Sequence, residues 1–211
     1  MTDWSAISNA ATGGGTLVLA LATFASVRSS NRSARVAERA LAIGNRPVLV
    51  PSRLEDRTEK IFWADQHHAR LPGGEVVAEI ADNNVYLAMS LRNVGNGIGV
   101  LRGWHVEPRE QVLSMDARDP ELFQGHSRDL YVPPGDVSFW QAGLRDDTDE
   151  HYKIARTAIE ARETFIIHVL YCDHEGGQRT ITRFAAFPVD DKRWLSSVSK
   201  HWFLDRPNGG H

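Results

Sequence analysis

The sequence predicts a mainly β protein: an antiparallel Ig-like β-sandwich with one inserted helix, preceded by an N-terminal transmembrane helix and a helical stalk. Three observations predict it. No charged residue lies between Trp4 and Val27, and Arg28, Arg32, Arg35 and Arg39 then follow against a single Glu38. Beyond Arg46 the apolar residues alternate, with turn-forming clusters at roughly the 8–12-residue spacing of sandwich strands. One later stretch, Glu150 to Arg162, is built instead of good helix formers.

The first segment, residues 1–27, reads as a membrane anchor. Trp4 to Val27 would run about 36 Å as a helix, against a hydrocarbon core of about 30 Å. Its second half, Thr16 to Val27, is strongly apolar; Asn9, Thr12 and Gly13-Gly14-Gly15 dilute the first half. A cleavable signal would carry a basic residue ahead of the apolar run, where this chain has only Asp3. The four arginines behind the span predict a short N-terminus outside and a cytoplasmic main domain at the cell membrane. A lone Cys172 excludes an intrachain disulfide and fits a reducing compartment.

Residues 28–45 read as a basic helical stalk, with Val27, Ala34, Ala37 and Leu41 near one stripe. Small residues four apart, Ala10 with Gly14, Ala11 with Gly15 and Ala22 with Ser26, would let two copies approach, so a homo-oligomer through anchor and stalk is an expectation. Gly44-Asn45 stops the helix, and Arg46-Pro47 forces extended backbone before Val48-Leu49-Val50.

Residues 46–190 form the predicted sandwich. In Val85 to Leu91 alternate residues share one face, and Gly95-Asn96-Gly97 leads into Ile98 to Val106, which predicts a hairpin. Phe165–Cys172 and Arg179–Phe187 flank Asp173 to Gln178 as a second hairpin. Shorter strands are expected at Lys60–Ala64, Glu75–Ala81, Leu130–Val132 and Asp136–Gln141. Asp149 is placed to cap the inserted helix. Residues 191–211 form a tail, partly helical, in which Trp194, Val198 and Trp202 would share a face and offer a partner surface.

Charge narrows the function classes. Residues 1–45 hold four arginines against Asp3 and Glu38, so of the chain's formal −3 the remainder carries −5. Nucleic-acid binding needs clustered Lys and Arg to neutralise phosphates, and an acidic domain argues against it. Metal ligation is weakly signalled. His168 and Cys172 on one strand stand about 13 Å apart at roughly 3.3 Å per residue, too far to share an ion. Cys172 with His174, and the adjacent His67-His68, are the pairs left, and neither makes the four-ligand pattern of a structural zinc site. No Gly-x-Ser-x-Gly elbow occurs, and the glycines from Gly95 to Gly99 lack the lysine and helix of a phosphate loop. No metal, cofactor or enzymatic activity is predicted.

Four short motifs carry a family resemblance: Arg46-Pro47-Val-Leu-Val50, Leu91-Arg-Asn-Val-Gly-Asn-Gly-Ile-Gly99, Tyr171-Cys-Asp-His-Glu-Gly176 and His201-Trp-Phe-Leu-Asp-Arg-Pro207. With them the chain resembles a group of uncharacterised bacterial single-pass membrane proteins whose N-terminal span and stalk lead into a β-sandwich. Ile98-Gly99 departs from the Pro-Ala of that group. The resemblance implies architecture and transfers no activity.

The expected function is therefore a protein-interaction module tethered to the lipid bilayer, with an unknown protein partner. The alternatives are a metal-dependent enzyme or sensor using Cys172 with His174 or His67 with His68, and a small-ligand or carbohydrate-binding module using tryptophans.

Overall fold

The computed structural model describes residues 4–110 and 116–205, excepting the side chains of residues 4–18, 20, 39, 42, 43 and 127. The chain divides after Gly44 into two units. In the first, anchor and stalk are one helix, α1 (Trp4–Gly44), with no proline to break it.

The membrane span is not supported: among the described residues no helix is long and apolar enough to cross a membrane. The uncharged stretch is long but its apolar part is not. Glycines 13–15 and the polar residues before them leave Thr16–Val27, about 18 Å of helix against the required 30 Å. The same finding corrects the likeness to single-pass membrane proteins. Arg28, Arg32 and Arg35 lie exposed on α1; the side chain of Arg39 is outside the described residues, as are those of Ala10, Ala11, Gly14 and Gly15.

In the second unit the strands run β1 (Leu49–Pro51), β2 (Glu59–Phe62), β3 (His68–Leu71), β4 (Glu75–Ala81), β5 (Asn84–Asn93), β6 (Gly99–Pro108), β7 (Gln124–Val132) and β8 (Val137–Leu144), then α2 (Glu150–Ala161) and β9 (Phe165–Cys172), β10 (Thr180–Pro188) and β11 (Trp194–Phe203). Nine strands make one antiparallel sheet in the order β8-β5-β4-β11-β10-β9-β6-β7, with β1 also on β5. β2 and β3 pair as a separate ribbon. The sheet curls until its two ends, β7 and β8, lie side by side with no ladder joining them.

Alternation decides the inner face. Leu87, Met89, Val106, Ile167, Val169, Phe184 and Trp140 are all shut inside the curl, and each such side chain contributes about 1.5–3 kcal/mol relative to exposure. The helix α2 adds Tyr152, Ala155 and Ala158 to this core from one face. Asp149 caps it by accepting from the His151 N–H, as the sequence predicts, and Arg162 ends it in the left-handed conformation with φ 56°. The Tyr152 hydroxyl donates to the Asn83 carbonyl at 2.7 Å, tying α2 to the β4–β5 turn.

Two predicted elements differ. β5 and β6 are not a hairpin: β5 pairs with β4, β8 and β1, and β6 with β7 and β9. The partner of β5 is β4, through a turn in which Asp82 and Asn83 both take positive φ, the signature of a type I′ hairpin turn. Gly95 and Gly97 serve close approach instead, because a Cβ at either would overlap the Arg46 or Asn45 carbonyl. This explains much of the motif set: Asn93 Oδ1 accepts from Val48 N, the Tyr171 hydroxyl accepts from Leu49 N, and Arg46 lies 3.5 Å from Asp205. Arg206 and Pro207 of the last motif fall outside the described residues.

The tail is the second difference. Residues 194–203 are strand, paired with β10 and at their start with β4. The register shifts between Arg183 and Phe184, whose partners are Lys200 and Val198, so Ser199 bulges. A bulge reverses the faces of the residues beyond it. Trp194 and Val198 therefore enter the main core, while Trp202 is buried on the other face against His168. The eight-residue spacing that suggested a helical stripe is produced by a strand with one extra residue.

Candidate functional site

Two groups of polar side chains stand out, one closed and one open. The closed group begins on β6, where His105 and Glu107 share a face by the two-residue period, and continues on β9, where His168 is the register partner of His105. Glu107 is 1% exposed and His168 fully buried. His168 Nε2 lies 2.8 Å from Glu107 Oε1, and Arg118 Nε donates to Oε2 at 2.7 Å. Burial alone would raise the Glu107 pKa, but the bonds from His168 and Arg118 outweigh it and hold the carboxyl down at about 2. His168 is lowered by burial against the opposing pull of Glu107, and with Glu107 ionised its Nε2–H is the donor.

The chain of contacts goes on into α2. His105 Nδ1 lies 2.9 Å from His151 Nε2, and the far nitrogen of His151 is 3.1 Å from the capping carboxylate of Asp149. Gln124 donates to the other oxygen of Asp149 at 2.7 Å. Burial, then the charges of His151 and His168, lower the His105 pKa. A carboxylate anchors each end, so the imidazoles are fixed in orientation.

The open group lies at the seam. Opposite the Leu101/Gly103 step of β6 the register partners on β7 are Leu130 and Gly125, so residues 126–129 swing out of the ladder. Bulges of this kind re-aim side chains and end pairing, and occur preferentially beside sites. A cavity of about 250 Å³ opens between the excursion and β8. Trp63, Trp104, Gln124, His126, Arg128 and Gln141 line it, and Arg145 closes one side.

Its walls are held from outside. Trp63 Nε1 donates to the Ala142 carbonyl at 2.9 Å, pinning the segment after β2 to β8. Arg145 reaches Asp65 Oδ2 at 2.8 Å, and the Tyr86 hydroxyl donates to the same oxygen at 2.6 Å. The Tyr86 bond first, with those from Arg145 and the His67 N–H, keeps Asp65 at about 2. Within the wall, His126 Nε2 and Gln141 Oε1 are sealed from solvent without a hydrogen-bond partner. Burial, with the nearby charge of Arg128, pushes His126 down to about 4, so it is neutral at pH 7. The described lining residues include two arginines and no carboxylate, hydroxyl or thiol.

The residues named from sequence lie elsewhere. Trp194 packs edge-on against Phe165 with Arg162 over its ring, and Trp202 stacks on His168, so neither indole is a surface feature. Cys172 is buried with Arg102 Nε at 3.1 Å, while His174 is exposed on the following turn. His67 stacks on Tyr86 and bonds Glu79, whereas His68 stacks on Phe62. Among the described residues no three His, Cys, Asp or Glu are placed to hold a metal ion. Sequence reading missed His105, His126, His151, Arg128 and Arg145. The one available signal was His105-x-Glu107 on an alternating strand, since the rest depends on which strands meet.

Comparison with known proteins supplies no family: no family model matches the chain, and no curated protein matches it significantly.

Proposed function

We propose that the protein is a binding protein for a small polar molecule of about monosaccharide size, held in the seam between β7 and β8. The observation that carries this is the seam cavity itself, at about 250 Å³. It falls just short of the roughly 300 Å³ at which drug-sized sites begin, which suits a smaller ligand. A curled sheet gains ladder hydrogen bonds by closing, and this one leaves its ends apart with tryptophan, glutamine and arginine between them. The unsatisfied atoms of His126 and Gln141 support the reading, because buried polar atoms without partners cost stability and persist where something else requires them. The surface-partner alternative based on Trp194, Val198 and Trp202 loses its motivation with both indoles buried.

The test is tryptophan fluorescence on the full chain, titrated with sugars, sugar acids and other polar metabolites of this size. Trp63 and Trp104 report from the wall. A saturable change is expected, and Gly125→Phe should abolish it: a Cβ at Gly125 meets only the Arg102 carbonyl, at 4.0 Å, so the ring has room to occupy the cavity mouth. Saturation that survives Gly125→Phe would place binding elsewhere.

A further inference from the structure

The polarity of the seam cavity narrows its ligand beyond size. We infer that the ligand is a hydroxylated carboxylic acid, with its carboxylate held by Arg128; this rests on the seam being a binding site. The unit from Asn45 onward is acidic, yet the described cavity lining has two guanidiniums and no carboxylate. That local inversion of sign is the electrostatic footprint of an anion.

The two arginines are not equivalent. Arg145 is committed: Nε and Nη2 both reach Asp65 Oδ2, at 3.1 and 2.8 Å, and Nη1 points to the Gly143 carbonyl at 3.4 Å. Arg128 stands on the excursion of β7, and among the described residues no carboxylate forms an ion pair with it within 4 Å. Its neighbour Asp129 is engaged by Arg102 and the Tyr131 hydroxyl. Arg128 is thus the lining group with unspent charge, and a guanidinium fork matches a carboxylate bidentately.

The remainder of the wall suits hydroxyls and carbon faces. Gln124 and Gln141 bring amide groups to the lining, with the Nε2 of Gln141 donating to the Phe62 carbonyl. Trp63 and Trp104, 6% and 5% exposed, present a small apolar part of each indole to the cavity. A hexuronate has all three features: a carboxylate, several hydroxyls and an apolar face.

Calorimetric titration of the full chain with glucuronate and galacturonate, the matching neutral hexoses and a hexose 6-phosphate tests this. A hexuronate should bind about tenfold or more tightly than its neutral hexose, the size expected of one charge-assisted contact. Arg128→Gln, an exposed position, should erase that ratio while leaving the unfolding midpoint unchanged, and Arg128→Lys should restore part of it. Equal binding of acid and neutral sugar, or a ratio unaltered by Arg128→Gln, overturns the ligand class and leaves the site standing. Tighter binding of the hexose phosphate overturns the carboxylate assignment. Binding of none of these overturns the site reading as well.

Discussion

The network around Glu107 and the cavity around His126 both bury histidines and carry arginine, and each leaves one imidazole nitrogen without a partner, His168 Nδ1 and His126 Nε2; they differ in whether carboxylates hold the remaining polar groups. In the first, Glu107 binds His168 and Arg118, and His105, 3.9 Å from Glu107, leads through His151 to the Asp149 cap of α2. In the second, Arg145 is paired with Asp65 but Arg128 has no carboxylate partner among the described residues, and two wall atoms have no partner. A network tied by its own carboxylates fixes geometry and resists change; polar groups that lack such partners are a standing cost that a ligand can offset.

The largest effect that sharpens this contrast is in the closed network. Glu107→Ala leaves the buried His168 and the half-buried Arg118 without the carboxylate that each bonds, and should cost about 3–5 kcal/mol in urea unfolding, as expected for two hydrogen bonds to a charged group. Folded Glu107→Ala should keep the ligand response of the wild type.

The next effect is pH. His126 titrates near 6.5 when unfolded and at about 4 when folded. As pH falls from 7 to 5 the unfolded chain takes up a proton that the folded chain refuses, so stability drops. His126 alone accounts for about 2 kcal/mol over that window. His105 and His168, also lowered, act in the same direction, and Glu107 adds its loss only below about pH 4.5. Unfolding of His126→Phe at both pH values should show a difference smaller by about 2 kcal/mol than the wild type. An unchanged difference would mean that His126 is solvated in the folded protein.

The smallest effect is the most telling of the comparison. At pH 7.5, where the imidazole is neutral in both states, His126→Phe should change stability by less than about 1 kcal/mol in either direction, since it removes an unsatisfied atom and keeps most of the ring's volume. A loss as large as that of Glu107→Ala would make the seam a second structural network.

Much of the sheet was legible because alternation is local: β4, β9 and β10 fall almost where the pattern puts them, and the Asp149 cap was readable from one residue. What failed depended on partners. Gly95 and Gly97 look like a hairpin turn until the chain around Arg46 is packed on them. Trp194, Val198 and Trp202 read as a helical stripe until the bulge at Ser199 is seen. The uncharged N-terminal stretch was judged by its length, while its apolar content was what a membrane would weigh. The seam was invisible for a related reason: Trp63 and Trp104 are far in sequence from Arg128 and Gln141, and the four line one cavity only because the sheet curls and fails to close.

The most direct test of the central claim uses the tryptophan indoles as position markers in a 15N-edited NMR titration with a hexuronate. The account predicts that the Nε1–H resonances of Trp63 and Trp104 shift saturably while those of Trp194 and Trp202 stay still. Shifts at Trp202, beside His168, with Trp63 and Trp104 unmoved, would contradict it and relocate the site to the closed network.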